Sequence, residues 1–286
     1  MDLTNVETIR YLQNKYEFGF SKSLGQNFLI RSWVPERIIE SSGIDRQNGV
    51  LEIGPGIGVL TRYLSQNAGR VAAVELDAKL LPILAETLND CSNTKVIHRD
   101  ILKCDIPQLI QDEFSGLNPV VCANLPYQVT TPVITKLLES HLFCKITVMI
   151  QREVARRICA APGTADYGAF SVFAQYHSTP EICFDVPPDC FYPRPKVTST
   201  VIRLTRKEKP QELRDEKLFF ALVRSAFAQR RKTLVNALTP LLSSALDKAA
   251  IQDNLIRCGF DPMVRGETLG IKDYIILANQ FADMEE

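Results

Sequence analysis

The sequence predicts an α/β protein: a Rossmann-like sheet of mostly parallel strands with helices on both faces, plus a small all-helical C-terminal domain. Three observations carry this. Short apolar runs alternate with amphipathic helical patterns between Val50 and Gln151, the signature of βαβ units. The first of these runs leads straight into a glycine-rich turn, Gly54-Pro55-Gly56-Ile57-Gly58. Beyond Arg206 only helical spacing remains.

The elements follow in order. An N-terminal arm precedes residues 20–29, a polar, Gly-containing loop with embedded apolar anchors. Residues 34–42 have helical spacing and stop at Gly43. Strands are expected at 50–53, 71–76, 95–98, 120–123 and 146–151. Helices are expected at 58–67, 78–89 and 132–140, the first of them ended by Gly69. Residues 182–186 and 197–204 read as late strands added antiparallel at one edge. The charged stretch from Arg206 to Asp215 contains Pro210, so the expected domains are 1–206 and 207–286. In the second, Phe219, Leu222, Val223, Ala226 and Phe227 share one helix face. Leu234, Leu238, Leu241 and Leu242 continue the spacing, with Pro240 expected to break that helix. Residues 249–258 form a helix closed by Gly259, and 271–281 a last one.

Composition narrows the class. With 286 residues and 45% apolar content, a sizeable core can form. The net charge is zero, so a nucleic-acid partner would have to be met by local basic clusters. The eight cysteines are scattered and show no Cys-x-x-Cys pair. They read as reduced thiols of a cytoplasmic protein, and no metal site is expected. The N-terminus lacks a secretory pattern, and no apolar run approaches membrane-spanning length.

The richest stretch is Asn124-Leu125-Pro126-Tyr127, at the end of the apolar run Pro119-Val120-Val121-Cys122-Ala123. An Asn oxygen and the Pro126 carbonyl can both accept hydrogen bonds from one NH2 group. The Tyr127 ring can stack on the plane that carries it. Upstream, Gly54 and Gly56 allow the backbone to approach a ligand closely. Glu75, ending the second strand, is placed to hold ribose hydroxyls. Asp100, after the third strand, can accept from an adenine amino group or simply cap the turn that follows it. Leu76 and Ile101 can sandwich the adenine ring or belong to the core. The glycine turn and Glu75 fit a dinucleotide equally well, so a dehydrogenase is a rival reading. The amine-gripping tetrapeptide, which hydride transfer does not need, favours an S-adenosylmethionine-dependent N-methyltransferase acting on a base.

These motifs bring a family into view. Ser23-Leu24-Gly25-Gln26-Asn27-Phe28-Leu29, Leu51-Glu52-Ile53-Gly54-Pro55-Gly56, Val74-Glu75-Leu76-Asp77 and Asn124-Leu125-Pro126-Tyr127 are followed by three more. They are Gln151-Arg152-Glu153-Val154-Ala155, Tyr192-Pro193-Arg194-Pro195-Lys196-Val197 and Phe227-Ala228-Gln229-Arg230-Arg231-Lys232-Thr233-Leu234. In this order they resemble the bacterial small-subunit ribosomal RNA adenine N6,N6-dimethyltransferases, the kasugamycin-resistance methyltransferase family. The resemblance implies a methyltransferase sheet with a helical C-terminal domain. It implies that Asn27, Leu29, Gly54, Glu75, Asp100 and Asn124 line the S-adenosyl-L-methionine site. It implies as substrate two adjacent adenines in a hairpin loop near the 3′ end of small-subunit rRNA, met by a monomer within a pre-ribosomal 30S particle. Arg99 stands where the family usually has Gly. The large-subunit rRNA enzyme of macrolide resistance is a second relative, and it lacks the Gln-Arg-Arg-Lys-Thr-Leu segment. A non-catalytic RNA-binding assembly factor on the same fold is a further alternative, but one that would have no need of Asn124, Tyr127 and the glycines.

RNA contacts are expected from the densest basic cluster, Arg230, Arg231 and Lys232, with Arg224 upstream. A three-residue run is otherwise an ordinary solvated helix end, and the resemblance reverses that reading. Arg152, Arg156 and Arg157 form a second cluster, while Lys22 and Arg31 flank the N-terminal loop. Such groups bind phosphates and carry little sequence information.

Overall fold

A computed structural model describes residues 1–21 and 25–282. In chain order the elements are α1 (Val6–Tyr16), β1 (Phe28–Leu29), α2 (Trp33–Ser42), β2 (Asn48–Ile53), α3 (Val59–Asn67), β3 (Arg70–Glu75), α4 (Leu81–Thr87) and β4 (Thr94–His98). There follow α5 (Ile106–Glu113), β5 (Asn118–Asn124), α6 (Thr130–Glu139), β6 (Lys145–Gln151), α7 (Arg152–Ile158), α8 (Ala169–His177), β7 (Ser178–Val186), β8 (Phe191–Tyr192) and β9 (Ser199–Arg206). The last four are α9 (Glu216–Ala228), α10 (Leu234–Leu242), α11 (Lys248–Arg257) and α12 (Ile271–Ala282). The chain divides into two compact units: 1–155 with 180–206, and 156–179 with 207–286. The expected single boundary after residue 206 therefore needs a correction. Residues 156–179 pack with the helical unit, because Val172 and Tyr176 of α8 bury themselves among its helices.

In the first unit seven strands form one sheet in the order β4-β3-β2-β5-β6-β9-β7. β2, β3, β4, β5 and β6 are parallel along their pairings, and β9 runs antiparallel to β6. Five successive residues are buried in both β2 and β3, so both sheet faces are covered. On one face the packing runs through Ile9 and Leu12 of α1, Val34 and Ile38 of α2, and Leu60 and Leu64 of α3. The chain goes out from β2 to β3 and β4, then returns to β5 on the other side of β2. The carboxyl ends of β2 and β5 therefore flank a topological switch point, where open α/β sheets bind ligands. A separate two-stranded ribbon pairs Phe28 with Tyr192 and Leu29 with Phe191.

The second unit is helical. Phe219, Leu222, Val223 and Ala226 of α9 form the apolar stripe read from the sequence, and each is at most 2% exposed. Asp215 caps α9 by accepting from the N–H groups of Lys217 and Leu218 at 2.8 and 3.0 Å. Pro240 does not break α10. It sits inside the helix near its end, where the loss of one backbone donor is felt by Asn236 alone, and the helix continues to Leu242.

Candidate active site

The functional cleft lies in the first unit, at the switch point between β2 and β5. Every residue expected at the cofactor lines it: Asn27, Leu29, Gly54, Gly56, Glu75, Leu76, Asp100, Ile101 and Asn124. Pro126 and Tyr127 line the same cleft. Five separate stretches of sequence thus meet in one cavity.

The glycine turn forms its floor. Gly54 and Gly56 have φ of +67° and +61°, a left-handed conformation that costs little only without a Cβ. A Cβ on Gly56 would also stand 3.0 Å from the Phe28 ring of β1. Gly58 caps α3 with φ +92°. The N-terminal loop closes over this turn through polar ties. Gln26 Nε2 donates to Asp77 Oδ2 at 2.8 Å, and its Oε1 accepts from Ser21 N–H at 2.8 Å. Asn27 Nδ2 donates to the Gly25 carbonyl at 2.9 Å. Sequence reading missed Gln26; its signal was the presence of a polar residue inside each of two motifs far apart in the chain.

Glu75 ends β3, 6% exposed, and its Oε1 accepts from Asp77 N–H at 2.8 Å. Burial pushes its carboxyl above the ordinary value, opposed by backbone N–H groups of Asp77, Gly56 and Leu76. Asp100 does cap its turn: Oδ1 accepts from Leu102 N–H at 3.0 Å. The cap occupies one oxygen of the carboxylate, so capping and ligand binding are compatible. Arg99, the departure from the family pattern, continues the sheet ladder by donating its N–H to the Glu75 carbonyl at 2.9 Å. Asp100 keeps extended cap geometry behind it, φ −78° and ψ 117°. Leu76 is 51% exposed, an apolar side chain left open at the mouth.

The tetrapeptide is held from three sides. Leu125 N–H donates to the Met149 carbonyl of β6 at 3.1 Å, carrying the sheet ladder one residue past β5. The Tyr127 hydroxyl bonds to Ser199 Oγ of β9 at 2.8 Å, and Ser199 is fully buried. Burial pushes the Tyr127 phenol up, so the ring stays neutral at physiological pH. The Pro126 carbonyl corrects an expectation. It already accepts from Val129 N–H and from Thr130 Oγ1, both at 3.2 Å, which occupies its lone pairs. The Leu125 carbonyl is engaged by no hydrogen bond among the described residues. It is the main-chain acceptor better suited to an incoming amine.

The hydroxyl contact carries an expected result. Tyr127→Phe keeps the ring but strands the buried Ser199 hydroxyl, so unfolding free energy should fall by about 1 kcal/mol in chemical denaturation. Methyl transfer should stay within a few-fold of normal, whereas Tyr127→Ala should slow it strongly.

The basic residues separate into kinds. Lys22 lies outside the described residues. Arg31, Arg152, Arg156, Arg224, Arg231 and Lys232 are exposed. Arg152 stands 3.9 Å from Asp185. Arg230, Arg231 and Lys232 lie in the turn between α9 and α10 rather than at a helix end. Arg230 is committed to structure. Its guanidinium pairs with Glu267 and donates to the Ala165 and Thr164 carbonyls at 2.8 and 3.0 Å. Lys232 instead borders an open polar groove with Gln229, Asn236 and Lys248.

A cleft at a sheet switch point, lined by a glycine turn, two strand-end carboxylates and the Asn124-Leu125-Pro126-Tyr127 rim, fits a group transferase of the α/β class. The antiparallel β9, inserted between β6 and the edge strand, departs from the six-strand 3-2-1-4-5-6 order of dinucleotide-binding sheets. The family model described as ribosomal RNA adenine dimethylase matches residues 17–259. The ribosomal RNA small subunit methyltransferase A of Alkaliphilus oremlandii is 47% identical over 282 residues, 98% of each chain. That of Shouchella clausii is 46% identical over 281 residues, 97% of this chain and 95% of the relative. Among solved structures, a dimethyladenosine transferase from Plasmodium falciparum superimposes with a TM-score of 0.78 at 25% identity, covering 90% of this chain and 98% of that one. The 23S rRNA methyltransferase ErmE shares the fold, with a TM-score of 0.68 at 24% identity over 91% of this chain and 100% of that one. The chain belongs to the ribosomal RNA adenine dimethylase family. The cofactor of this family is S-adenosyl-L-methionine.

Proposed function

We propose that the protein transfers methyl groups from S-adenosylmethionine to N6 of two adjacent adenines in a hairpin loop near the 3′ end of small-subunit rRNA. The product is N6,N6-dimethyladenine, made by a cytoplasmic monomer on a pre-ribosomal 30S particle. The observation that carries this reading is the meeting of the glycine turn, Glu75, Asp100 and the Asn-Leu-Pro-Tyr rim in one cleft. The small-subunit names of the relatives favour it over the large-subunit enzyme.

When bound, S-adenosylmethionine supplies an electrophilic sulfonium methyl. Glu75 would hold the ribose hydroxyls, and the second oxygen of Asp100 would accept from the adenine amino group. Leu76 and Ile101 would flank the adenine ring. On the substrate side, Asn124 Oδ1 and the Leu125 carbonyl accept from the two N–H groups of the target amine. This favours a pyramidal nitrogen whose lone pair is freed from the ring. Both bonds strengthen as positive charge grows on nitrogen, so they stabilise the transition state more than the ground state. Tyr127, anchored by Ser199, stacks on the extruded base and fixes the line of attack. No general base is required, because the ammonium product loses its proton readily to water. After the first transfer one N–H remains, and one of the two acceptors is then enough. Extruding the base costs a few kcal/mol, less from a loop than from a duplex, and is offset by phosphate contacts elsewhere.

The basic residues would supply those contacts unequally. Arg231→Ala with Lys232→Ala should weaken subunit binding and flatten its salt dependence. Arg230→Ala should instead lower the stability of the helical unit by about 2 kcal/mol, since it removes charge-assisted bonds to two carbonyls. An unaltered salt slope in the double variant would return Arg231 and Lys232 to an ordinary solvated turn. Calorimetric titration with S-adenosylmethionine and with NAD tests the cofactor assignment. Binding of NAD alone would restore the dehydrogenase reading, and binding of neither would favour a non-catalytic assembly factor.

A further inference from the structure

Arg99 lines the cleft and has no part in the function proposed above. Its backbone is fixed, because its N–H donates to the Glu75 carbonyl at the end of β3 at 2.9 Å. Its side chain is exposed, and no carboxylate forms an ion pair with it among the described residues. Two more cations accompany it. Lys103 is exposed on the 3-10 turn Ile101–Lys103 that follows Asp100. Lys136 reaches over from α6, the helix after the tetrapeptide, and donates to the Leu102 carbonyl at 2.9 Å. Burial pushes the Cys104 thiol up, and the charges of Arg99 and Lys136 oppose it, so both stand beside the same side chain. The acids of this segment are engaged with the backbone. Asp100 Oδ1 accepts from Leu102 N–H and Asp105 Oδ1 from Gln108 N–H, both at 3.0 Å.

The cofactor offers these cations no partner. Under the proposed function its adenine and ribose lie at Asp100 and Glu75, and its one carboxylate is at the opposite end of the molecule. RNA offers a phosphate at every nucleotide, and a guanidinium can take a phosphodiester through two parallel N–H bonds. The cleft is lined by Arg99–Leu102 on one side and by Asn124–Val129 on the other, so the cations share a rim with the residues that would grip the target amine. We propose that Arg99, with Lys103 and Lys136 beside it, binds a backbone phosphate of the RNA segment whose adenine enters the cleft. The contact rests on the functional reading above and adds to it a phosphate-binding residue of the first unit. Because the family usually has Gly at this position, the contact belongs to this chain and not to the chemistry of methyl transfer.

The test is binding of the full-length protein, loaded with S-adenosylhomocysteine, to undermethylated small subunits over a range of salt concentrations. Arg99→Gln should raise the dissociation constant by about tenfold at low salt. It should also flatten the log–log salt slope by roughly 0.7, the share of one phosphate on a single strand. Arg99→Lys keeps the charge but not the planar fork, so it should lose less affinity and keep the slope. Lys103→Gln, exposed on its turn, is a second probe and should flatten the slope in the same sense. In single-turnover methylation the subunit concentration giving half the maximal rate should rise in Arg99→Gln, with the maximal rate kept. Calorimetric affinity for S-adenosylhomocysteine should be unchanged, which also shows that the variant is folded. Unchanged subunit affinity and slope in Arg99→Gln would overturn the proposal, and so would weaker cofactor binding in place of weaker subunit binding. Equal losses in Arg99→Lys and Arg99→Gln would overturn it too, since charge would then not be the cause. Wild-type protein that binds no subunits would sink the functional reading and this contact with it.

Discussion

Methyl transfer by Asn124→Ala should fall by roughly 100-fold or more, comparable to the loss of one preorganised group that senses transition-state charge. Asn124 ends β5 in register with Met149, and the next residue extends the same ladder, so the side chain is held by the sheet rather than by a mobile loop. Truncation removes the side-chain acceptor and leaves the Leu125 carbonyl alone with a planar, poorly nucleophilic amine. RNA affinity should change little, because phosphate contacts dominate it. Cofactor affinity should fall modestly, since the residue borders that site. Single-turnover assays on undermethylated subunits separate these effects. A near-normal rate would remove Asn124 from the chemistry.

Glu75→Ala should weaken S-adenosylmethionine binding by about 10- to 100-fold, the scale of losing charge-assisted hydrogen bonds to ribose hydroxyls. The side chain is buried at the end of β3 and already accepts from Asp77 N–H at 2.8 Å, so its orientation is set before the ligand arrives. Glu75→Gln keeps an acceptor for that backbone bond and loses only charge. It should lie between wild type and Glu75→Ala in calorimetric affinity, with both variants folded. Unchanged affinity in Glu75→Ala would make the residue a turn-stabilising group and nothing more.

Much of this was legible in the chain for particular reasons. β3 is a continuous apolar run between Arg70 and Glu75, and β2 is one but for the buried Glu52, which is how doubly covered parallel strands read. The helix of residues 78–89 was expected in one piece, whereas the chain forms a 3-10 turn at Ala78–Leu80 and then α4. Pro82 sits in the first turn of α4, a position that suits a residue without an N–H. α5 was passed over although Asp105 caps it and Pro107 follows in its first turn. The two-residue strands β1 and β8 carry no periodicity, and their pairing depends on a partner some 160 residues away. α8 was missed because Phe170, Val172, Phe173 and Tyr176 are apolar on several sides, which blurs helical spacing.

The cleft was more legible than the fold around it, since strand ends in a parallel sheet converge by construction and the residues named there line one cavity. What the sequence could not convey was which carbonyl of the tetrapeptide is already used. That depends on Thr130 and Val129 turning back onto Pro126. Likewise, nothing local distinguishes Arg230 from Arg231; Glu267 and the Thr164–Ala165 carbonyls do.

The most direct measurement is to incubate the protein with undermethylated small subunits and methyl-labelled S-adenosylmethionine, then map the modified nucleotides. The expected result is label confined to two adjacent adenines in a hairpin loop near the 3′ end of the small-subunit rRNA, reaching two methyl groups on each N6 and abolished in Asn124→Ala. Label in large-subunit rRNA instead, or none with active wild-type protein, would contradict the proposed function.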